Sequence, residues 1–149
     1  MLVAAYAAEG VQTYVCTATT VDTTTTYAWS AAVPTANLYG QACTLAGTHY
    51  NGPHWKANDG SIILGTRIRN ADSATADSIP QLVLSAAVDL GVAGVLTSVT
   101  AVQRLHTIGG TAPTTACTAG NVNGIAAIPY TADYYFYSGA DIIPPAAAP

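Results

Sequence analysis

Charge is the scarcest property of this chain. Four basic and eight acidic residues are spread over 149 positions, 8% of the total, where a typical soluble domain carries about 25%. The basic set is Lys56, Arg67, Arg69 and Arg104. So few cations cannot track a phosphate backbone or hold an anionic bilayer, which excludes nucleic acid and charged membrane surfaces as partners. Long apolar runs are missing too. The best candidate, 81–96, is interrupted by Asp89, Gly91 and Gly94, and falls short of the roughly 18–20 residues that cross a bilayer. No stretch carries an i, i+3, i+4 apolar stripe between caps, so helices are not expected. Cys16, Cys43 and Cys117 form no CxxC and no Cys/His cluster, which leaves no zinc motif. No serine sits in a GxSxG elbow. Eight acids leave little room for a glycosidase pair, with Asp59 and Asp89 as nominal candidates. The expectation is therefore no catalysis, no cofactor and no metal.

What remains is neutral and β-prone. Hydrophobic residues make up 50% of the chain, and mean hydropathy is +0.32. A net charge of −4 rests on very few groups, so Thr, Ala, Ser and Asn must cover much of the surface. Such a surface costs little to desolvate, which suits burial in an assembly; an O-glycosylated Thr-rich coat is the plainer reading. The composition looks extracellular, where a disulfide persists. Three cysteines allow one bridge and one leftover, in three pairings. The opening residues from Met1 to Tyr6 lack a basic region followed by a long apolar one, so any secretory leader is absent from this chain.

The length fits one domain. Strand-like stretches fall at 2–7, 11–18, 25–31, 36–39, 44–50, 61–69, 81–88, 95–107 and 125–137, separated by Gly, Pro, Asn and Asp. Within 61–69, Ile62, Leu64 and Ile68 share one face and Arg67 and Arg69 the other. About nine short strands predict an all-β fold: an antiparallel β-sandwich, Greek-key or jelly-roll-like, with a closed β-barrel as the alternative. The domain is expected over 1–140, beginning with an apolar strand at 1–8 and followed by an extended Pro/Ala-rich tail at 141–149.

Two clusters could carry chemistry. The segment from His49 to Gly60 reads as a polar loop holding His49, His54, Trp55 and Asp59. Trp55 could stack on a sugar with Asp59 accepting its hydroxyls, or two His and an Asp could hold a metal if a third strong ligand converged. More simply, Asn51-Gly52-Pro53 and Asp59-Gly60 make turns and Trp55 plugs the core. Further along, Arg104 and His106 fall on one strand face, and Asp133, Tyr135 and Tyr137 on one face of the last strand. If those strands pair, an Arg104–Asp133 ion pair follows. That group could do acid–base work, but a cross-strand polar ladder is the simpler outcome.

Several blocks occur in a familiar order. Gly10-Val11-Gln12-Thr13-Tyr14-Val15-Cys16 comes first, then His49-Tyr50-Asn51-Gly52-Pro53-His54-Trp55 and Ile79-Pro80-Gln81-Leu82-Val83-Leu84. Val99 through Gly110, then Cys117, then Pro129-Tyr130-Thr131-Ala132-Asp133-Tyr134-Tyr135-Phe136-Tyr137 complete the set. The chain resembles a family of secreted fungal and bacterial proteins known only as a domain of unknown function, some fungal members of which carry a "malate dehydrogenase" label. The resemblance implies secretion, a β-rich domain and a Cys16–Cys117 bridge, with Cys43 left free or intermolecular. It implies no reaction. The dehydrogenase label has no counterpart here, because no GxGxxG follows a strand. Gln81 stands where the family usually has an aromatic, and His54 and Lys56 are atypical.

Two functions are expected to compete. One is an extracellular self-associating structural protein, a filament or sheath subunit. Its contacts would be made by Leu2, Val3 and Tyr6 at one end and by Ile142, Ile143, Pro144 and Pro145 at the other, adding to a neighbour's sheet. The alternative is a secreted carbohydrate- or small-ligand-binding domain that uses His54, Trp55, Asp59 and His49.

Overall fold

The computed structural model describes residues 1–139. Ile142, Ile143, Pro144 and Pro145 therefore lie outside the described residues. The strands are β1 (Leu2–Val21), β2 (Thr24–Trp29), β3 (Val33–Tyr39), β4 (Leu45–Tyr50), β5 (His54–Ala57), β6 (Ile62–Ala71), β7 (Gln81–Val88), β8 (Ala101–Gly109) and β9 (Ile125–Tyr137). All neighbours are antiparallel.

From β3 to β9 each strand pairs with the next, and β9 returns to pair with β1 along Leu2 to Val15. Eight strands, β1 and β3 to β9, thereby close into a barrel. Of the two all-β architectures expected, the closed barrel is the one formed, and the favoured sandwich is corrected. The physical reason lies in β1. It is long enough to pair with β3 on one edge through Ala7–Thr13, with β9 on the other, and still to run on as a hairpin with β2 through Cys16–Val21. A sandwich would leave those edges in two sheets; here the ladder has no break.

Interior positions alternate with exterior ones, and small residues take turns with large ones. Ala8, Ala36, Ala57 and Ala132 are buried beside Trp55, Tyr134, Phe136, Leu38 and Ile63. Gly65 makes room for the Trp55 ring, since a Cβ there would lie 2.7 Å from it. Gly10 lets β1 approach β3, because a Cβ would strike the Thr35 carbonyl and Ala36. On β6 the interior residues are Ile63 and Gly65, whereas Leu64 and Ile68 are exposed. The expected face assignment is therefore reversed: Arg67 shares the inward parity. The 49–60 segment is not a loop but the β4–β5 hairpin. Residues 95–100 are not strand; they fold under the barrel, where Leu96 and Val99 are buried and close one end. The apolar start of the chain lies in its own barrel: Leu2 pairs with Tyr137 and Tyr6 with Tyr134, and Val3 packs against the core.

Candidate functional site

The two ends of the barrel differ. At the closed end, Asp59 accepts hydrogen bonds from the Ser61 amide (2.9 Å), the Ser61 hydroxyl (2.6 Å) and the Val95 amide (2.7 Å). The Leu96 amide in turn donates to the Ser61 hydroxyl at 3.2 Å. These bonds pin the plug segment beneath the core. At the other end lies an open cavity of about 450 Å³, lined by residues including Gln12, Tyr14, His49, Arg67, Leu82 and Arg104.

Arg104 dominates this cavity. It sits on β8 between Leu82 of β7 and Tyr134 of β9, with its side chain inside the barrel. Nε and Nη2 both donate to the Pro80 carbonyl, at 3.1 and 2.7 Å. The segment carrying that carbonyl is itself tied down. Thr107 donates its hydroxyl to the Ile79 carbonyl at 2.6 Å, and the Gly109 amide donates to the Ser78 hydroxyl at 2.9 Å. Across the mouth, the Tyr14 hydroxyl donates to the Gly110 carbonyl at 2.5 Å. One edge of the guanidinium is thus anchored on backbone, and the rest of the group lies between the Tyr134 hydroxyl and the cavity.

The groups around Arg104 are neutral. His49 is 2% exposed; burial pulls its imidazole down to about 4, outweighing its hydrogen bond to the His54 carbonyl and reinforced by the Arg104 charge. Because its Nδ1 meets that carbonyl at 2.8 Å, Nδ1 carries the proton and Nε2 is left as an acceptor. Tyr130 and Tyr134 lie behind Arg104, and burial pushes both phenols upward, so neither supplies negative charge. Their hydroxyls are buried without a well-formed hydrogen bond, although they lie close enough to affect each other's titration, and the Tyr134 hydroxyl also interacts with the Arg104 guanidinium.

The residues expected to form a site are dispersed. His49 reaches the cavity, and Trp55 is stacked on it at 4.6 Å. Trp55 itself is 1% exposed, beneath the floor. His54 stacks on Tyr50 (5.0 Å) and faces Asp89 through Nε2 at 2.9 Å and the Asn51 carbonyl through Nδ1 at 2.6 Å. Asp59 is at the opposite end. Strands β8 and β9 do pair, but Arg104 faces inward while Asp133 faces out. A bulge at His106, with φ 49°, turns that ring toward Asp133 at 2.8 Å, so no Arg104–Asp133 pair forms. Cys16 and Cys117 are bridged and Cys43 is free and exposed. Among the described residues no group of three or more His, Cys, Asp or Glu is placed to hold a metal. No described helix is long and apolar enough to cross a membrane. Gln12, Tyr14 and Pro80 were invisible as site residues in the sequence, because only barrel closure aims them at one cavity.

The model of a family described as "Protein of unknown function (DUF3455)" matches residues 1–138. That description assigns no reaction. No curated protein matches, and no solved structure does.

Proposed function

We propose, for a chain that belongs to the DUF3455 family of proteins of unknown function, that it is an extracellular binding domain which takes a small molecule into the open barrel mouth. One observation carries this reading: one end of the barrel is plugged by Leu96 and Val99 while the other holds a cavity of about 450 Å³ around an anchored guanidinium. That volume falls within the usual range for small-ligand sites, about 300–1,000 Å³, and barrel mouths are common hosts for them. Apolar walls with a few fixed polar groups supply affinity and orientation together. The Cys16–Cys117 bridge fits an oxidising compartment.

The test is an NMR titration of the labelled protein with a small-molecule library that spans neutral, cationic and anionic compounds. Expected are saturable shifts at Gln12, His49, Leu82 and Arg104. A folded protein whose mouth resonances move with no compound would sink the reading.

Self-association is the second reading, and the β1–β2 hairpin favours it. Residues Thr17 to Ala28 stand outside the ring, no described strand pairs with the outer edge of β2, and Val21 and Tyr27 are 66% and 38% exposed. An exposed, uncharged strand edge is a template for another copy.

A further inference from the structure

We infer that the ligand of the barrel mouth is a small carboxylate with an apolar body, its carboxylate held by Arg104; this rests on the binding reading above. The first support is where charge lies. Only four basic residues exist in a chain of net charge −4, yet two of them, Arg67 and Arg104, line this one cavity and no acidic residue lines it. Three of the seven described carboxylates are occupied elsewhere: Asp59 at the plugged end, Asp89 on His54, Asp133 on His106. Among the described residues, no carboxylate lies within ion-pair distance of Arg104. Its neighbours His49, Tyr130 and Tyr134 are all neutral near pH 7. A partly buried guanidinium without a counter-charge departs from the usual rule that buried charges are paired. A bound anion would supply the missing charge.

Geometry narrows the class. The Nε–Nη2 edge is committed to the Pro80 carbonyl. The Nη1–Nη2 end has no carboxylate partner among the described residues and has the neutral Tyr134 hydroxyl as a neighbour; its two parallel donors on a planar group fit the two oxygens of a single carboxylate. A phosphate dianion would bring more charge than this inner guanidinium balances, since Arg67 is an exposed residue at the rim. Pro34, Pro53, Ile79, Leu82 and Leu84 give the cavity an apolar wall that accommodates a hydrocarbon or aryl body, beside neutral polar groups such as Gln12, Ser30 and Asn51. Arg67 would draw the anion toward the opening rather than seat it.

Calorimetric titration of the intact protein with hexanoate, benzoate and phenylacetate, each against its own amide, tests this. The acids are expected to bind at least about tenfold more tightly than the amides, the difference of one charge-assisted contact. Arg104→Gln is expected to remove that preference. Arg104→Lys should restore only part of it, because the charge returns without the fork. Arg67→Gln should change affinity by less than about threefold and reduce its salt dependence. If the Arg104 variants fail to fold, the acid–amide comparison decides on the native protein, together with the shift of the Arg104 Nε–H resonance on addition of acid. Amides binding as well as acids would overturn the carboxylate inference and leave the binding reading standing; so would preferential binding of hexyl phosphate. Failure of every compound, neutral or charged, in both this titration and the library screen would overturn the binding reading itself.

Discussion

His49 couples the cavity to pH. Its imidazole titrates at about 4 in the folded protein and at 6.5 when free of burial. Between those values the unfolded chain holds the proton and the folded one does not, so acid favours unfolding. Stability from neutral His49 is full above pH 6.5, falls as pH drops toward 4, and levels off below; the whole change corresponds to about 3 kcal/mol. Urea midpoints measured from pH 7.5 to 4 are expected to fall by this route, and His49→Gln should flatten most of that limb. Asp59, held below the usual carboxylate range by the Ser61 hydroxyl and the Val95 and Ser61 amides, acts in a lower window. Its contribution is present above the ordinary carboxylate pKa and lost as acid protonates it. Trp55 is the other decisive residue, wedged among His49, Tyr134 and Phe136. Trp55→Ala should cost about 3–5 kcal/mol in denaturant unfolding. A loss of stability under 1 kcal/mol would mean that the ring is not the barrel's filler.

Strand β1 does the work of three elements. Its inner residues Ala8, Gln12 and Tyr14 line the interior, its edges close the ring, and its last third carries the β2 hairpin. At Gly10 any side chain on β1 would strike the β3 backbone. Gly10→Val is expected to destabilise by about 3 kcal/mol through overpacking against backbone that cannot yield, a change readable as a lower thermal midpoint. The Cys16–Cys117 bridge ties the far half of β1 to the 110–124 loop across a sequence separation of 101. Reduction, or a paired Cys16→Ser and Cys117→Ser replacement, should remove about 4–5 kcal/mol in the loop-closure account. It should also raise amide exchange in that loop ahead of global unfolding. An unchanged denaturation midpoint after confirmed reduction would count against this role.

For the whole molecule, closure separates the two functional readings. A ring of eight strands has no free edge, so among the described residues association must use what stands outside it: the β1–β2 hairpin, or exposed apolar side chains such as Leu90 and Val92, 84% and 61% accessible. If the hairpin carries self-association, light scattering at rising concentration should show oligomers. Trimming the hairpin to a short turn between Cys16 and Trp29 should return a monomer with an intact cavity. A native protein that stays monomeric at millimolar concentration would remove this reading and leave the mouth untouched.

Turn residues, alternating strands and the near absence of helix signals are local properties, so the all-β class and most strand positions were legible from residues such as Asn51-Gly52-Pro53 and the run Tyr130 to Tyr137. Face assignment failed on β6 because Ile62, Leu64 and Ile68 look like a core stripe, while the glycine at 65 that admits Trp55 looks like nothing. Sandwich and barrel share one alternation pattern; the choice depends on whether β9 meets β1 or another sheet, which no local signal encodes. The cavity followed from the same non-local event. Arg104, Pro80, His49 and Tyr14 are far apart in the chain, and only closing the ring turns them toward one space. The sequence by itself determined that charge would be rare; tertiary structure alone decided that two of the four cations would line the same cavity with no acid beside them.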